Sequence, residues 1–267
     1  MPHPFVMRAP REEKGTYDAG EAIGGELVLI GRAGYYVRRV TDALELMGKL
    51  GLGQERGRCI LEEVRPVGRF EMEPAAVRSD GSGRWKGLHA LRRGMSGEGS
   101  GSDVRLNFLT PLRLKYTGKF VSNVEFHHIV RNLLRRVSAM AQFHCSLDAG
   151  SFNFGNCISQ AKGVRAVHRD VRWKDWPTCS RKHTEKVFLG GITGAVTFSE
   201  VPPEYLSLLE VGEELHVGKA ASFGLGRYEL EVNRTASPEY GQTYPRFRER
   251  RPGAVSINAF SVGSTFV

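Results

Sequence analysis

The stretch LHVGKAASFGLGRYELEV, which runs from Leu215 to Val232, combines a histidine, a lysine, a glycine-rich segment and the start of an alternating strand. Glycines allow backbone N–H groups to approach an anion closely, and Lys219 and Arg227 would add positive charge beside it. The alternative interpretation is a tight turn that leads into a strand. The sequence on either side of this stretch indicates the fold to which it belongs.

The second half of the chain alternates between strand-like and helix-like patterns. The predicted elements, in chain order, are a strand at 103–116, a helix at 122–143, strands at 164–173 and 187–199, a helix at 204–210 and a strand at 227–232. Ser122 and Glu125 have the spacing of a capping box at the start of the long helix. The order β-α-β-β-α-β predicts a ferredoxin-like domain.

The first half of the chain ends in the same way. A predicted strand and helix are followed by Gly51-Leu52-Gly53 and a further strand, as Gly224-Leu225-Gly226 precedes the last strand of the second half. We therefore expect an internal repeat and an α+β chain of tandem ferredoxin-like (RRM-like) domains. The first domain is expected to be incomplete, because no opening strand and helix precede it.

A segment dense in glycine and serine separates the two halves, and clear periodicity is lost after Val232. Such a segment is typical of a flexible connection between domains. The expected organisation is a partial ferredoxin-like domain over 1–78, a loop or linker over 79–103, a complete domain over 104–232 and a tail over 233–267.

The composition favours an anionic partner. The chain of 267 residues has a formal net charge of +9, and nucleic acid is the commonest partner of such a basic protein. No stretch approaches the roughly 18 apolar residues of a membrane span. The four cysteines show no CxxC pair and no zinc spacing. The sequence predicts a cytoplasmic protein with no metal, no cofactor and no membrane partner.

Residues 209–230, LEVGEELHVGKAASFGLGRYEL, closely resemble the C-terminal signature of the RAMP endoribonucleases that process precursor CRISPR RNA. Residues 172–198 and 2–64 are also similar to parts of that family. The resemblance implies two ferredoxin-like domains. Relatives usually begin with a further segment that supplies the opening strand and helix, and in several of them the catalytic histidine resembles an early-domain residue. This chain is therefore expected to be an N-terminally shortened relative.

The resemblance also implies a metal-independent reaction in which the 2′-hydroxyl of the RNA attacks the adjacent phosphate. Histidine suits the proton transfers because its unperturbed pKa lies near 6.5, and lysine or arginine suits the developing phosphorane charge. The candidate catalytic residues are His216, which matches the family run Leu-His-Val-Gly-Lys, and His183, in a polar basic segment. A structural role that orients the loop is the alternative for His216, and an ordinary exposed histidine is the alternative for His183.

The RNA-binding candidates share either a close backbone approach or a positive charge. They are Gly218, Lys219, Ser222, Gly224, Gly226, Arg227, Arg181 and Lys182. Close packing of a helix against a sheet is the alternative role of the glycines. A solvated surface position is the alternative for each basic side chain.

These observations predict an endoribonuclease that binds and cleaves CRISPR precursor RNA within its repeats. Its expected partner is that RNA, with CRISPR effector subunits as further candidates. The alternative is a non-catalytic RAMP subunit that holds RNA in an effector complex, with the same fold but no need for a histidine pair. A housekeeping RNA-binding protein with tandem ferredoxin-like domains is disfavoured, because the RNP1 aromatic pattern is missing.

Overall fold

The computed structural model of the protein describes residues 1–10, 14, 16–53, 55–67, 101–145, 154–175, 177–178, 187–233 and 254–262. The fold mixes helices and sheets, and the chain divides into two compact units. The described parts of 3–78 and 254–262 lie in the first unit, and those of 101–233 lie in the second.

The described regular elements alternate along the chain. The strands are β1 (Phe5–Arg8), β2 (Ala22–Leu29), β3 (Cys59–Val67), β4 (Ser102–Leu112), β5 (Lys115–Tyr116), β6 (Lys119–Phe120), β7 (Arg165–Lys174), β8 (Pro177–Thr178), β9 (Val187–Phe188), β10 (Gly191–Val201), β11 (Tyr228–Asn233) and β12 (Ala254–Val262). The helices are α1 (Val37–Leu50), α2 (Phe126–His144), α3 (Phe154–Ala161) and α4 (Leu206–Leu215).

The first unit is built on a four-stranded sheet in the order β1-β2-β12-β3. Its core centres on Leu27 and Cys59, against which Val40 and Leu44 of α1 pack. The prediction of a tail over 233–267 is corrected by strand β12. Residues 254–262 pair antiparallel with both β2 and β3. The partners of β12 lie roughly 190 to 240 residues earlier in the chain, so no local pattern reveals the pairing.

The second unit has an antiparallel sheet in the order β11-β4-β10-β7. Its main elements follow the predicted β-α-β-β-α-β order, with α3 and the short strand pairs β5–β6 and β8–β9 added. Phe126 of α2 stacks edge-on against Phe198 of β10 and against Tyr205, and all three side chains are fully buried. These contacts fix α2 against the sheet.

Helix α2 buries the apolar face that the sequence predicts. Its buried apolar side chains include Phe126, Ile129, Val130, Leu133, Leu134, Val137 and Met140. The predicted capping box of Ser122 and Glu125 is wrong, because the helix begins after Glu125 and the box is formed by Glu125 and His128. The side chain of His128 is consequently buried rather than solvated.

Two element boundaries also differ from the sequence prediction. The strand predicted at 103–116 ends at Leu112, and the hairpin β5–β6 follows it. The helix predicted at 204–210 begins with a 3-10 turn at Pro203–Tyr205 and continues to Leu215. The longer helix therefore includes residues 209–215, the first part of the stretch that resembles the RAMP signature.

Candidate nucleic-acid interface

The glycine loop, defined as residues 216–227, begins where α4 ends. The last carbonyl of α4, that of Leu215, accepts a hydrogen bond of 2.7 Å from Nε of Arg136 on α2. His216 follows with a positive φ of 57°, and its side chain has no exposed surface. A group that exchanges protons with RNA must reach it. The burial of His216 therefore favours the structural alternative, in which this side chain orients the loop.

The backbone amides of the loop donate to the end of strand β4. The N–H of Lys219 donates to the carbonyl oxygen of Arg113 at 2.8 Å, and that of Gly226 donates to the carbonyl of Pro111 at 3.1 Å. Each of these N–H groups is thus satisfied within the protein. They are not available as donors to a phosphate while these bonds remain.

Thr110 of β4 forms a second connection to the loop. Its hydroxyl donates to the carbonyl oxygen of Gly224 at 2.8 Å, and its Oγ1 accepts from the N–H of Arg227 at 2.9 Å. Arg227 in turn accepts a hydrogen bond from the N–H of Leu109 through its own carbonyl, at 2.9 Å. The loop is held by β4 on both sides of its Gly-Leu-Gly segment.

Glycine is required at two loop positions by both conformation and space. Gly218 has φ of 95°, and a Cβ there would lie 2.6 Å from the carbonyl oxygen of Arg113. Gly226 has φ of 67°, and a Cβ there would overlap the carbonyl oxygen of Val217. The left-handed region is costly for residues with a Cβ. The close-packing alternative therefore describes these two glycines well.

The candidate RNA-binding residues of the loop differ in exposure. Lys219 is exposed, Gly218 and Arg227 are half-buried, and the remaining three candidates are buried: Ser222, Gly224 and Gly226. Arg181, Lys182 and the catalytic candidate His183 lie outside the described residues. The loop therefore presents its lysine to solvent and keeps most of its glycines inside.

In the same unit, helix α2 carries two adjacent histidines, His127 and His128, near its start and beside an aromatic ring. The rings of His127 and His128 have centroids 4.1 Å apart, and the ring of Tyr116 lies 5.4 Å from the first and 4.6 Å from the second. The guanidinium of Arg131 lies 5.9 Å from the centroid of Tyr116. This group fixes hairpin β5–β6 to the start of α2.

Burial lowers the pKa of both of these histidines. It lowers the pKa of His128 to about 4, with a smaller contribution from His127. The Nδ1 of His128 accepts the N–H of Glu125 at 3.2 Å, which requires the unprotonated atom. Burial also lowers the pKa of His127, and the nearby charges of Lys162 and Arg131 act in the same direction against the opposing effect of Glu125. A neutral, half-buried imidazole can accept a proton.

The carboxylate of Glu125 completes this corner of the second unit. Its Oε1 pairs with the guanidinium of Arg169 on β7 at 2.6 Å and accepts from the side-chain amide of Asn123 at 3.2 Å. Because this carboxylate is engaged by Arg169 and also caps α2, its negative charge is largely balanced.

The sequence prediction missed the hairpin and its contacts with α2. The available signal was Tyr116-Thr117-Gly118-Lys119, in which a two-residue turn containing glycine separates an aromatic and a basic residue. Gly118 has φ of 84°, as such a turn requires. The strand predicted at 103–116 includes β5, whereas the turn and β6 follow its predicted end.

Neither a metal cluster nor a membrane helix is found in the part of the chain that the structure describes. Within it, no three His, Cys, Asp or Glu side chains are grouped so that they could hold a metal ion. None of the helices described there is long and apolar enough to cross a membrane.

Residues 106–228 match the family model described as CRISPR-associated endoribonuclease Cas6, and residues 1–87 match a second model described as an N-terminal domain. The resemblance to the CRISPR RNA-processing endoribonucleases is confirmed. The match to the Cas6 model includes most of β4, the hairpin, α2 and the whole glycine loop. None of the curated protein sequences matches this chain.

Among solved structures, the chain is similar to Cas6 proteins. A Cas6 product complex is 17% identical over 86% of this chain and 83% of that chain, with a TM-score of 0.46. A Thermus thermophilus Cas6 is 16% identical over 54% of this chain and 57% of that chain, with a TM-score of 0.38. A partial Cas6-RT-Cas1–Cas2 complex is 18% identical over 60% of this chain and 26% of that chain, with a TM-score of 0.40. The chain thus spans little more than half of the Thermus thermophilus protein, and less of the complex.

Proposed function

We propose that this chain is an endoribonuclease that binds and cleaves CRISPR precursor RNA within its repeats. The observation that supports this proposal is the match of residues 106–228 to the Cas6 endoribonuclease model, which covers the complete glycine loop. The net charge of +9 agrees with an RNA ligand. The proposed setting is CRISPR defence in the cytoplasm, with effector subunits as further partners.

The proposed fold consists of tandem ferredoxin-like domains. The second unit supports this with its β-α-β-β-α-β element order and its antiparallel strand order β11-β4-β10-β7. The first unit supports it with a helix, a Gly-Leu-Gly segment and a strand in the same succession as in the second unit.

The proposed reaction is metal-independent attack of a ribose 2′-hydroxyl on the adjacent phosphate. One imidazole accepts the proton of this hydroxyl, the P–O bond to the 5′-oxygen breaks, and a second proton donor protonates that leaving oxygen. A cation such as Lys219 stabilises the additional negative charge of the phosphorane. His183 is the sequence-derived candidate for proton transfer. The candidate that the geometry adds is the half-buried His127, whose pKa is lowered by burial.

His216 acts in this proposal as a positioning residue. Its buried imidazole follows the last residue of α4 and precedes the amides that donate to β4. A change of His216 to alanine is expected to lower RNA binding and cleavage together, because it disturbs the loop. A change of the residue that transfers protons is expected to lower cleavage while RNA binding is retained.

The experiment is cleavage of a labelled CRISPR repeat RNA from the same genome, carried out in EDTA. We expect a single cut, and we expect a 2′-deoxy substitution at the scissile nucleotide to abolish it. Binding of the same RNA is measured in parallel for His183→Ala, His127→Ala and His216→Ala. A cut that persists with the 2′-deoxy substrate, or that requires a divalent metal, would contradict the mechanism.

The second candidate function is a non-catalytic RAMP subunit that holds RNA within an effector complex. The burial of His216 favours it, because the histidine of the family signature is not exposed to RNA in this conformation. Tight binding of the repeat RNA without any cut would support this function and would exclude the endoribonuclease.

A further inference from the structure

Hairpin β5–β6 projects from the second unit on a strained turn. Thr117 and Gly118 form its two-residue connection, with φ of 47° and 84°. Positive φ at both positions is typical of the type I′ hairpin turn, but a β-branched residue rarely adopts it. Residues held in such conformations are concentrated at functional sites. The strain at Thr117 therefore directs attention to what the hairpin presents.

The hairpin has an inner and an outer face. Lys115 pairs with Phe120, and Tyr116 pairs with Lys119, so the two pairs lie on opposite faces of the strand pair. The ring of Tyr116 packs on the histidines at the start of α2, which makes its face the inner one. The face of Lys115 and Phe120 is the outer one.

The base of the hairpin is anchored in the core of the second unit. Leu114 and Val121, which flank it, are both buried, and the N–H of Val121 donates to the carbonyl oxygen of Leu114 at 2.9 Å. The hairpin is therefore held at its base and on its inner face. Its outer face has a fixed orientation with respect to the sheet.

The outer face carries an exposed aromatic ring between two cations. The ring of Phe120 is 41% exposed. The guanidinium of Arg113 lies 4.7 Å from its centroid, and the ammonium of Lys115 lies 5.2 Å from it. An exposed phenyl ring with cations beside it offers a stacking surface for a base and charges for phosphates.

The local charge is of one sign. Residues 109–124 contain Arg113, Lys115 and Lys119 and no acidic residue. The carbonyl of Arg113 also accepts the N–H of Lys219, so the backbone of this exposed lysine lies against that of Arg113. A polyanion is the complementary ligand for such a surface.

We propose that the outer face of hairpin β5–β6, defined by Arg113, Lys115 and Phe120, binds unpaired nucleotides of RNA. One base stacks on Phe120, and the two cations move from the ring to the flanking phosphates. A single phenyl ring can stack on any of the four bases, so the site is not selective for sequence. The base must be unpaired so that its face is available to the ring. The inference rests on the proposed function in that it takes RNA as the ligand of the chain, and it adds a site for nucleotides that lie outside a paired stem.

The test uses the full chain, and the probe is the labelled CRISPR repeat RNA with single-stranded flanks. Phe120→Ala is expected to raise the dissociation constant about tenfold, and Phe120→Trp is expected to keep it near the wild-type value because it preserves stacking. Phe143→Ala is the matched control, since Phe143 is a comparably exposed phenylalanine on α2 of the same unit. That control is expected to leave binding unchanged.

The charges are tested by the salt dependence of the same binding. Lys115→Ala is expected to reduce the slope of log K against log salt concentration by about one, as the loss of one phosphate contact does. Lys119→Ala removes a lysine from the inner face of the same hairpin and is expected to leave this slope unchanged.

The possible outcomes separate this inference from the proposed function. A folded Phe120→Ala variant that binds the RNA as tightly as the wild type would overturn the inference, whether or not the protein cuts, and would assign this face to another kind of partner. If Phe120→Ala weakens binding and the wild type never cuts, the hairpin site stands and the endoribonuclease fails. If the wild type does not bind the RNA, both proposals fail.

Discussion

Two Gly-Leu-Gly segments, one in each unit, share positive φ at both glycines but differ in the turn that they form and in their surroundings. Gly51 and Gly53 have φ of 89° and 73°, and Gly224 and Gly226 have φ of 90° and 67°. Each segment follows a helix and leads towards a strand. The ψ of the first glycine differs, however, at 142° for Gly51 and −4° for Gly224, so the same tripeptide forms a different turn in each unit.

The two segments differ in the contacts of their backbone groups. In the first, the N–H of Leu52 donates to the carbonyl oxygen of Gly57 at 2.8 Å, so the loop closes on itself. In the second, Gly226 donates to Pro111 of strand β4, more than 100 residues earlier. Glycine thus permits positive φ in both segments, whereas the surroundings of each segment determine the turn and whether it is a simple surface turn or a junction of several segments.

The largest effect on the free energy of unfolding is expected for Gly226, the second glycine of its segment. Its counterpart Gly53 in the first unit is the comparison. A Cβ on Gly53 meets nothing within 4 Å, so Gly53→Ala is expected to cost about 1–2 kcal/mol from its left-handed conformation alone. A Cβ on Gly226 would overlap the carbonyl oxygen of Val217, and Gly226→Ala is expected to cost at least about 4 kcal/mol. Urea unfolding of the two variants measures the difference in their free energies of unfolding. Equal losses of stability would contradict the prediction that the two glycines have different surroundings.

A smaller effect on the free energy of unfolding is expected from Glu213, which contacts the strand that follows the glycine loop. The N–H of Leu230 on β11 donates to Oε1 of Glu213 at 2.7 Å, and burial raises the pKa of Glu213 to about 7. Because the folded-state pKa lies above the unfolded one, stability from this group is greatest below about pH 4.5 and is lost as pH rises through about 7. As the pH rises through this range, the wild type is expected to lose about 1–3 kcal/mol of unfolding free energy from this group. We expect Glu213→Gln to remove that loss.

The control for this change is Glu231→Gln, which alters an exposed carboxylate that lies 3.9 Å from Arg105 on the surface of the same sheet. Thermal unfolding of both variants between pH 4.5 and pH 8 makes the comparison. If Glu213→Gln keeps the pH dependence of the wild type, the carboxyl of Glu213 has an ordinary pKa and the prediction is wrong.

The elements that were predicted correctly are those whose pattern of apolar residues is visible within a short stretch of sequence. Helix α2 shows its apolar side at helical spacing, and the element order of the second unit follows from such patterns. Strand β12 could not be predicted in the same way, because its pairing with β2 and β3 joins the two ends of the chain. The hairpin β5–β6 was missed because its strands have only two residues each.

The candidate site was predictable to the same extent. Positive φ at Gly218, Gly224 and Gly226 follows from the residue type. The sequence could not show that the loop amides donate to β4, since Thr110, Pro111 and Arg113 lie over 100 residues away. It also gave no sign that His216 is buried. Those tertiary contacts shift the expected RNA contacts from the glycine backbone to exposed side chains such as Lys219 and Phe120.

The central claim is that the backbone amides of the glycine loop serve the fold, and that exposed cations and aromatic rings contact the RNA. Hydrogen exchange of the loop amides, measured by NMR with and without the repeat RNA, tests it most directly. We predict that the amides of Lys219, Gly226 and Arg227 exchange slowly in the free protein and change little when RNA binds. Fast exchange of these amides in the free protein, with strong protection only in the RNA complex, would show that the loop binds phosphate through its backbone and would contradict the account.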